Sequence, residues 1–559
     1  MPVGVASWGS RRTTSGAWAI TCTVKTAVCW WKHSARTSKR GEGGSGRIVA
    51  SFSLASDLGT GMPMEWAVRS AVIAVRLGEV AGLDEARLQD VYYLSLLALI
   101  GCTADASRFA ELVGDELALT GGEGQTVDWG NSKAAMSYLI RHVGAGLPPL
   151  RRARILAGFF TAGKEVWVEG SRGHCEVAQR LSERLGVAPS ILPLLNQVFE
   201  RWDGRGRPNA IKGEAIALPV RVGQLARDIE IFHRLDGIDA AVAMARERSG
   251  SSHAPNLVEH FCRHAGTICA DLTIESAWET VLAIEPGPRP VMAREQLDDA
   301  ALAIADFADL KVPFTLGHSR GVAALAEAAG RRCRLPEEDL AAIRRAGLMH
   351  DLGRVGVSAS IWCKAGGLTE GEWERVRLHP YYTERVLARS KALAPLGHLA
   401  AQHHERIDGS GYHRGLAGGM IPPTARLLAA ADVYQALTED RPYRPARRPE
   451  QAAAELEREV KSGRLDSEAA NAVLAAAGHR VRPARRELVA GLSEREVEVL
   501  RLLARGLSNR EMGRELSISK ETVNHHVRHI YDKIGVSTRP SATLFAVQHG
   551  LLEPTTSAV

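Results

Sequence analysis

The sequence has little of what marks secreted, membrane-spanning or uniformly basic proteins. Its eight cysteines include no CxxC pair, which fits reduced thiols in a cytoplasmic protein. No apolar run reaches the ~18 residues that a membrane-spanning helix needs. Aromatic residues make up only 5 % of the chain, and the abundance of Ala, Leu, Arg and Glu is typical of packed helices. We therefore expect a cytoplasmic, all-α protein of about two to four domains with no membrane partner.

The net charge of +6 is carried by the first 50 residues, which hold eight Lys or Arg and one acidic residue. In the remainder 62 basic residues face 63 acidic ones, so charge alone does not indicate nucleic-acid binding. The same stretch is rich in Trp, Ser, Thr and Gly and ends in GEGGSG, a flexible linker sequence. We predict that residues 1–55 are a disordered basic tail, or that translation starts nearer Val49 or Met62.

Residue types that bind metals are concentrated in the second half of the chain. The motifs HSRG, MHDLG, LHPYY, QHHER and AADVY supply seven donors: His318, His350, Asp351, His379, His403, His404 and Asp432. Nitrogen and oxygen donors without cysteine suit first-row divalent metals, and we expect iron or manganese. A single histidine on an apolar face is more often a hydrogen-bonded core residue. Under that alternative, two pairs of adjacent donors and a carboxylate on a buried face would all have to occur by chance.

Helical periodicity predicts that these donors face a core. An apolar stripe that begins at Leu340 ends on His350, and similar stripes follow His318 and precede Asp432. Pro380 disfavours helical geometry in the residue before it and suits a helix that starts at this point. Helices that each donate one or two ligands to a bundle core are a known way to build a two-metal centre.

These motifs resemble the HD-GYP family. HD followed by LGRVG, then HP, HHERIDGSGY, GGMIPPTAR, ADVYQALT and DRPYR match its landmarks over roughly residues 300–460. The resemblance implies an all-α HD-superfamily enzyme that hydrolyses cyclic di-GMP at a metal centre. It implies ligation by all seven donors, a bridge between two metals at Asp351, and catalytic roles for Asp351 and Arg354. The substrate contacts that it implies are Arg354, Asp408, Gly411, Tyr412 and Arg444.

Three departures from the family pattern bear on this prediction. His413 stands where the family has the proline of Gly-Tyr-Pro, and Arg354 stands where it has lysine, replacing an ammonium with a planar fork. Phe314 occupies the position of a glutamate that ligates a third metal in some members, which points to two metals rather than three. We expect weaker substrate binding rather than lost metal binding.

Residues 56–290 are predicted to be a degenerate copy of the domain at 291–478. An offset of 205 residues, the difference between 379 and 174, aligns ERWDGRG with ERIDGSG, and an offset of 252 aligns LALIG with MHDLG. At the positions of five donors the copy has Ala98, Leu99, Val198, Phe199 and Arg227. Only His174 survives, so we predict a sensing, regulatory or dimerising module without a metal.

A third unit, residues 491–559, follows a basic linker at 479–490. LSEREVEVL begins a helix with Ser493 as N-cap and Glu496 three residues later, a capping box. NREMGRELSI and a helix capped by Ser519 are joined by a tight LSIS turn, typical of a helix-turn-helix whose next element enters the major groove. The alternative is a merely solvated, charged helix.

The whole segment resembles the four-helix LuxR-type DNA-binding domain, with LSEREVEVL, GLSNREM, SISKETVNHHV and KIGVSTR as landmarks. The DNA contacts that the resemblance implies are Lys520 and Lys533 to phosphates, and Asn524, His525 and Arg528 to bases. Gly513, where the family commonly has Ala, costs ~1 kcal/mol of helix stability. Because so few cations contact phosphates, a single domain would bind DNA weakly. We therefore expect a homodimer on double-stranded DNA.

Two functions remain open from the sequence. In the first, a phosphodiesterase with two divalent metal ions degrades cyclic di-GMP, and the DNA-binding domain links this activity to transcription. In the second, the chain is a ligand-responsive transcription factor that turns over little, or a phosphohydrolase that acts on another nucleotide. The complete ligand set favours the first.

Overall fold

The computed structural model describes residues 45–272, 274–287, 293–481, 489–549 and 551–552. Within these ranges the regular structure is helical, with three isolated β-bridges and no strand, which confirms the predicted all-α class. No helix in the described part of the chain has the length and apolarity needed to cross a membrane. The chain divides into a first compact unit up to residue 476 and a second from residue 477.

The first repeat occupies the beginning of the first unit. Its helices are α1 (Ser45–Gly59), α2 (Trp66–Val80), α3 (Glu85–Leu97), α4 (Ala106–Val113), α5 (Glu116–Thr120), α6 (Ser132–His142), α7 (Pro149–Arg184), α8 (Leu218–Glu247), α9 (Pro255–Ile268) and α10 (Ile274–Ala283). Helix α8 contains a kink at Asp236 and Gly237, whose φ of 81° suits glycine.

The second repeat completes the first unit. Its helices are α11 (Arg294–Asp309), α12 (His318–Arg332), α13 (Glu337–Met349), α14 (Ala359–Trp362), α15 (Glu370–Arg377), α16 (His379–Leu387), α17 (Ala394–Ala400), α18 (Pro423–Leu437), α19 (Pro449–Lys461) and α20 (Ser467–Ala476). The second unit consists of α21 (Glu494–Ala504), α22 (Asn509–Glu515), α23 (Lys520–Ile534) and α24 (Arg539–Gln548).

The predicted tail ends too late at residue 55. Helix α1 starts at Ser45, and its apolar residues Ile48, Val49, Phe52 and Leu54 are at most 1 % exposed. The GEGGSG sequence at the start of this helix favours a linker, whereas the burial of the helix depends on contacts with distant parts of the first unit. Residues 1–44 of the predicted tail and 482–488 of the predicted linker lie outside the described residues.

The two repeats share backbone geometry as well as sequence. Helices α2 and α3 correspond to α12 and α13 with the same 252-residue offset at both ends. The N–H of Ala67 donates to Asp57 at 3.2 Å, and the N–H of Ser319, 252 positions later, donates to Asp309 at 3.0 Å. A buried carboxylate therefore fixes the start of the same helix in both repeats.

A second shared device holds the loop after the predicted double-histidine position. The carboxylate of Glu405 accepts hydrogen bonds from the backbone N–H groups of Arg414 and Leu416, at 2.9 and 2.8 Å. Glu200, 205 positions earlier, accepts from Asn209 and Ile211 at 2.8 and 2.9 Å. These hydrogen bonds recur at the two offsets on which the predicted internal repeat is based.

The repeats do not fold as separate bodies. A single apolar core extends from Ile48 in α1 to Leu396 in α17. Within it the rings of Phe52 and Phe307 pack edge to face at 4.9 Å. Between the repeats the fully buried Lys311 pairs with Glu116 at 2.8 Å. Each repeat therefore depends on the other for a part of its core.

Candidate metal centre

Helix ends carry most of the predicted metal ligands. His318 and His379 are the first residues of α12 and α16, which confirms the helix start predicted before Pro380. His350 directly follows the last residue of α13, and Asp351 comes next. The His403–His404 pair follows α17, whereas Asp432 lies inside α18. All seven side chains converge, and six of them are at most 5 % exposed.

Asp351 lies between two groups of histidines. Its Oδ2 atom is 3.2 Å from Nε2 of His350 and 3.6 Å from Nε2 of His318. Its Oδ1 atom is 3.5 Å from Nε2 of both His379 and His403. One carboxylate thus presents one oxygen to each group of imidazoles, which is the arrangement of a carboxylate that bridges two cations.

Asp432 supplies the second carboxylate. Its Oδ1 atom is 3.2 Å from Nε2 of His318 and 3.7 Å from Nε2 of His350, and its Oδ2 atom is 3.8 Å from Nδ1 of His404. The donor atoms include two compact groups on either side of the Asp351 carboxylate: His318, His350 and Asp432, and His379, His403 and His404. A third group, His350, Asp351 and His403, joins them.

Backbone carbonyls orient three of the imidazoles. The Nδ1 atoms of His350, His379 and His403 lie 2.7, 2.6 and 2.7 Å from the carbonyl oxygens three residues earlier. An Nδ1–H that donates to a carbonyl leaves the Nε2 lone pair free to bind a metal. His318 is held differently, since its Nδ1 lies 2.8 Å from Oε2 of Glu439. Sequence reasoning missed Glu439, although its place two helical turns after Asp432 was a usable signal.

The polar atoms of the cluster fit a bound cation. Nε2 of His318 and Nε2 of His350 are buried and have no hydrogen-bond partner among the described residues. Buried polar atoms without partners are costly, and a divalent ion shared by these donors removes that cost. Five imidazoles and two carboxylates with no thiolate suit iron, manganese or zinc better than magnesium or calcium.

The cluster keeps its carboxylates ionised. Burial opposes ionisation, but Arg354 and His350 hold the pKa of Asp351 well below its usual range. Burial also opposes protonation of His350, yet Asp351 and Asp432 raise its pKa to about 10. On the other side of Asp351, burial and the neighbouring His403 lower the pKa of His379 to about 3. The carboxylates therefore attract positive charge, and the His379 side offers a neutral imidazole.

Arg354 lies at the edge of the centre. Its Nη1 atom is 2.8 Å from Oδ2 of Asp351, and its guanidinium stacks on Trp362, 4.6 Å from the ring centroid. Trp362 also donates from Nε1 to the Arg354 carbonyl at 3.3 Å and packs edge to face against His379. A planar fork stacked on an indole has a fixed direction. Trp362 is a second residue that sequence reasoning missed.

The predicted substrate loop reaches the centre through Tyr412. Its ring lies 4.7 Å from that of His404 and 6.3 Å from that of His379. Gly411 is required by packing, since a Cβ atom there would lie 2.4 Å from the backbone nitrogen of Arg406. Asp408 is exposed and accepts hydrogen bonds from Ser410 in its own turn, so its contacts are local.

The structure does not support the predicted role of Arg444. Its guanidinium donates to the backbone carbonyls of Ala436, Leu437, Glu439 and Pro445. The guanidinium group is occupied by backbone carbonyls near the C-terminal end of α18, where carbonyls without a helical partner attract a cation. Arg441, three residues earlier, is buried and stacks on Phe314 at 5.4 Å.

The second unit contains the predicted helix-turn-helix. Ser493 and Ser519 cap α21 and α23 as predicted, and Glu496 completes a capping box with Ser493. Val523 and Ile530 of α23 are fully buried against the other helices. The predicted base-contacting side of the recognition helix is exposed: Lys520, Asn524, His525 and Arg528.

Lys533, which is predicted to contact a phosphate, is paired within this unit. Lys533 donates to Oε2 of Glu496 at 2.7 Å and to the Gly491 carbonyl at 3.0 Å. This lysine ties the end of α23 to the start of α21, a contact that helical spacing alone does not reveal. Asn524 accepts a hydrogen bond from Asn509, so its amide is oriented by α22.

Comparisons with known proteins match two separate parts of the chain. A family model described as HD domain matches residues 303–469, and one described as bacterial regulatory proteins, luxR family, matches residues 490–546. The 3'3'-cGAMP-specific phosphodiesterase 3 of Vibrio cholerae is 30 % identical over 417 residues, which cover 73 % of this chain and 90 % of that protein.

Two further relatives differ in how much of the chain they match. A cyclic di-GMP phosphodiesterase of Pseudomonas aeruginosa is 42 % identical over 132 residues, 23 % of this chain and 32 % of that protein. A crystal structure of a cyclic GMP-AMP specific phosphodiesterase of V. cholerae superposes with a TM-score of 0.55 at 25 % identity. That structure covers 79 % of this chain, and 99 % of it is matched.

Proposed function

The chain belongs to the HD-GYP family of metal-dependent phosphodiesterases, and from this premise we propose that its second repeat hydrolyses a cyclic dinucleotide at a centre of two divalent metal ions. The observation that carries the proposal is the Asp351 carboxylate, whose two oxygens face two different groups of imidazoles. Phe314, in place of a third-site glutamate, supports two ions rather than three.

Each ion has a defined donor set in this proposal. His318, His350 and Asp432 would hold one ion, and His379, His403 and His404 the other, with Asp351 between them. Ions held by these residues would supply an activated water and positive charge for the phosphodiester. Arg354 adds a charge-assisted donor at the edge of the centre, and Trp362 fixes its direction. Tyr412 offers a ring beside His404 for contact with the substrate.

The relatives bear on which cyclic dinucleotide is bound. The relative that matches across both repeats is named as specific for 3'3'-cGAMP. The Pseudomonas cyclic di-GMP phosphodiesterase matches 23 % of the chain, and that similarity is confined to a much shorter segment. We therefore place 3'3'-cGAMP first as the substrate and keep cyclic di-GMP, which the sequence motifs suggest, as the second candidate.

The test is a substrate panel with metal analysis on the purified full-length protein. We expect about two iron or manganese ions per chain and hydrolysis of 3'3'-cGAMP faster than of cyclic di-GMP, with little turnover of simple phosphomonoesters. The cyclic dinucleotide that is hydrolysed faster is identified as the substrate. Stoichiometric metal without turnover of any phosphodiester would contradict the enzymatic proposal and favour a ligand-responsive transcription factor.

The second unit supports a further part of the proposal, a role in transcription through DNA binding. Helix α23 exposes Lys520, His525 and Arg528 along one side, and Asn509 orients the Asn524 amide next to them. Because Lys533 is paired with Glu496, the exposed cations that α23 offers to phosphates are Lys520 and Arg528. Useful affinity then requires a dimer on two half-sites about one helical turn apart.

The DNA proposal is tested with two substitutions on the same helix face. Lys520→Ala is expected to weaken binding to all sequences alike and to flatten its salt dependence, because a phosphate contact is lost. Arg528→Ala is expected to reduce discrimination between a selected site and random DNA by about 1–3 kcal/mol. Equal effects of both substitutions on both kinds of DNA, or no binding at low salt, would contradict this part.

A further inference from the structure

The first repeat contains a large cavity where the second repeat has its metal centre. Its volume is about 430 Å³, within the range of roughly 300–1,000 Å³ typical of small-molecule sites. Its wall includes the residues at six of the seven ligand positions of the second repeat: Trp66, Leu99, His174, Val198, Phe199 and Arg227. Trp66 is the counterpart of His318, since both are the first residue of corresponding helices.

The charges at this position are inverted relative to the metal centre. Arg227 stands in place of Asp432, and Leu99 in place of Asp351, so both carboxylates that would hold cations are gone. His174 is buried, and burial lowers its pKa to about 4. Its Nε2 is already bonded to the Ala98 carbonyl at 2.8 Å. Where the second repeat needs cations to meet a phosphate, the first repeat supplies its own guanidinium group.

Arg207 is a second cation of the cavity, and Glu200 is the carboxylate that interacts with it electrostatically. It replaces Tyr412 of the substrate loop at the 205-residue offset. Its guanidinium lies 4.9 Å from the Trp167 ring centroid and forms no ion pair with the described residues. Most acidic groups of the wall are engaged: Glu116 by Lys311, Asp128 by Arg201, Asp228 by Arg248 and Glu200 by two backbone N–H groups.

The rest of the wall suits a planar aromatic group. Trp167 packs against Trp129 and Phe109, with ring centroids 5.1 and 5.3 Å apart. Two buried polar atoms of wall residues, Nε1 of Trp66 and Nδ1 of His253, have no hydrogen-bond partner within the described ranges. Aromatic faces stack on nucleobases, guanidinium groups bind phosphate, and unpaired donors or acceptors can read a base edge.

From these features we propose that the first repeat is a metal-independent binding site for a nucleotide, with the phosphate at Arg207 and Arg227 and the base stacked in the Trp129–Trp167 region. The site goes beyond the proposed function, because it needs neither the metal centre nor turnover.

The cavity is connected to the metal centre by direct contacts. Glu116, in its wall, accepts hydrogen bonds from Ser358 at 2.7 Å and from the N–H of Ala359 at 2.8 Å. Those residues start α14, which ends at Trp362, the ring that stacks on Arg354 and packs against His379. A nucleotide that repositions Glu116 would therefore shift α14, and we include this coupling in the proposal.

Binding is tested on full-length protein carrying Asp351→Asn, so that no turnover occurs under the proposed function. The probes are 3'3'-cGAMP, cyclic di-GMP, GMP and AMP, followed by equilibrium dialysis and tryptophan fluorescence. We expect Arg207→Ala to weaken binding of at least one probe tenfold or more. Arg205→Ala, two residues away, exposed and outside the cavity wall, is the matched control and is expected to change binding less than twofold.

The pattern across probes and variants decides the proposal. Preference for the cyclic probes identifies the substrate class as the ligand, and preference for GMP or AMP identifies a mononucleotide. Arg207→Gln, which keeps a polar side chain, serves if Arg207→Ala shows an altered thermal transition. Equal binding by the Arg207 variants and by Arg205→Ala, or binding of an apolar dye but of no nucleotide, would overturn the site.

Coupling is measured separately by hydrogen exchange. A bound probe is expected to change the exchange rates of residues 352–363 in the Arg205→Ala protein and not in the Arg207→Ala protein. Binding without any change in that segment would overturn the coupling while leaving the site. Neither readout depends on phosphodiesterase activity, so failure of the proposed function would not imitate failure of this inference.

Discussion

The two repeats of the first unit share the same backbone hydrogen bonds, but the chemistry of their central sites differs. Asp57 and Asp309 fix the start of equivalent helices, and Glu200 and Glu405 hold equivalent loops through paired backbone N–H groups. At the centre of the second repeat, however, two carboxylates and five imidazoles converge. At the centre of the first, a cavity is lined by tryptophan, phenylalanine and arginine. The two repeats therefore keep one fold but differ in the side chains at its centre.

The difference identifies which residues belong to the fold and which to the site. Gly101 and Gly353 are both required by packing, because a Cβ atom at either would lie 2.0 Å from the carbonyl of His174 or His379. These histidines occupy one structural position, yet their Nε2 atoms face an Ala98 carbonyl in one case and Asp351 in the other. A residue shared by both repeats is thus explained by packing, and a residue found only in the second needs a chemical explanation.

The largest expected effect comes from removing the bridge. Asp351→Ala removes the carboxylate that lies within 3.6 Å of four imidazoles, two in each group, so we expect loss of bound metal and a fall in activity of roughly a thousandfold or more. Leu99→Ala at the equivalent position of the first repeat is the matched control and should leave the metal content unchanged. Metal analysis and phosphodiesterase assays on both proteins make the measurement. Turnover by a metal-free Asp351→Ala protein would contradict the two-metal centre.

A smaller effect is expected at the histidine that both repeats keep. His379→Ala deletes one ligand of one ion, and we expect the metal content to fall from about two ions to about one, with activity reduced roughly a hundredfold. His174→Ala should leave the metal content at its original value, because His174 is bonded to a backbone carbonyl. The full chain is the right sample, since the shared core argues against testing the first repeat as a fragment. Metal loss in His174→Ala would mean that the first repeat also binds an ion.

Sequence reasoning was strongest where spacing determines position. Periodicity and motif spacing predicted helix starts at His379, Glu494 and Lys520, and the 205-residue offset predicted equivalences that hold for single hydrogen bonds. These features are local or repeated, so a one-dimensional pattern contains them. The sequence predicted that the donors at or near α12, α13, α16, α17 and α18 come together. How they divide into groups is seen only in the folded structure.

What the sequence did not contain were the partners of long, flexible side chains. Arg444 and Lys533 were both predicted to meet phosphates, and both bind nearby backbone or carboxylate groups instead. A charged side chain of several rotatable bonds reaches many acceptors, and only tertiary packing selects one. The cavity of the first repeat was equally invisible, because it forms where ligands were lost and large side chains from distant segments meet.

An effect of moderate size is expected at the shared glycines. Gly353→Ala and Gly101→Ala each force a methyl group against a backbone carbonyl, so we expect each to lower the free energy of unfolding by roughly 1–3 kcal/mol. Only Gly353→Ala should also reduce metal content, because it displaces the histidine that ligates. Gly366→Ala, where no atom lies within 4 Å of the added methyl, is the control. Denaturant titrations and metal analysis are the measurements, and equal metal loss in both variants would place a metal in the first repeat.

The smallest effect is expected at position 413, where the repeats differ by a proline. The first repeat has Pro208 at the equivalent position of its loop, whereas the second has His413. The N–H of His413 donates to no acceptor among the described residues. Its imidazole lies 3.6 Å from Glu384, which is already paired with Arg414. A proline therefore costs no hydrogen bond and restricts the loop that carries Tyr412.

We expect His413→Pro to lower KM about two- to fivefold, the equivalent of ~0.4–1 kcal/mol of chain entropy, with kcat unchanged. His413→Ala removes the same imidazole without adding a ring, so it separates the two contributions and should leave KM near its original value. Steady-state kinetics with 3'3'-cGAMP and cyclic di-GMP provide the measurement. An unchanged KM with an altered kcat in both variants would indicate that the imidazole of His413 takes part in the chemical step. The loop would then have to be counted with the residues that distinguish the second repeat from the first.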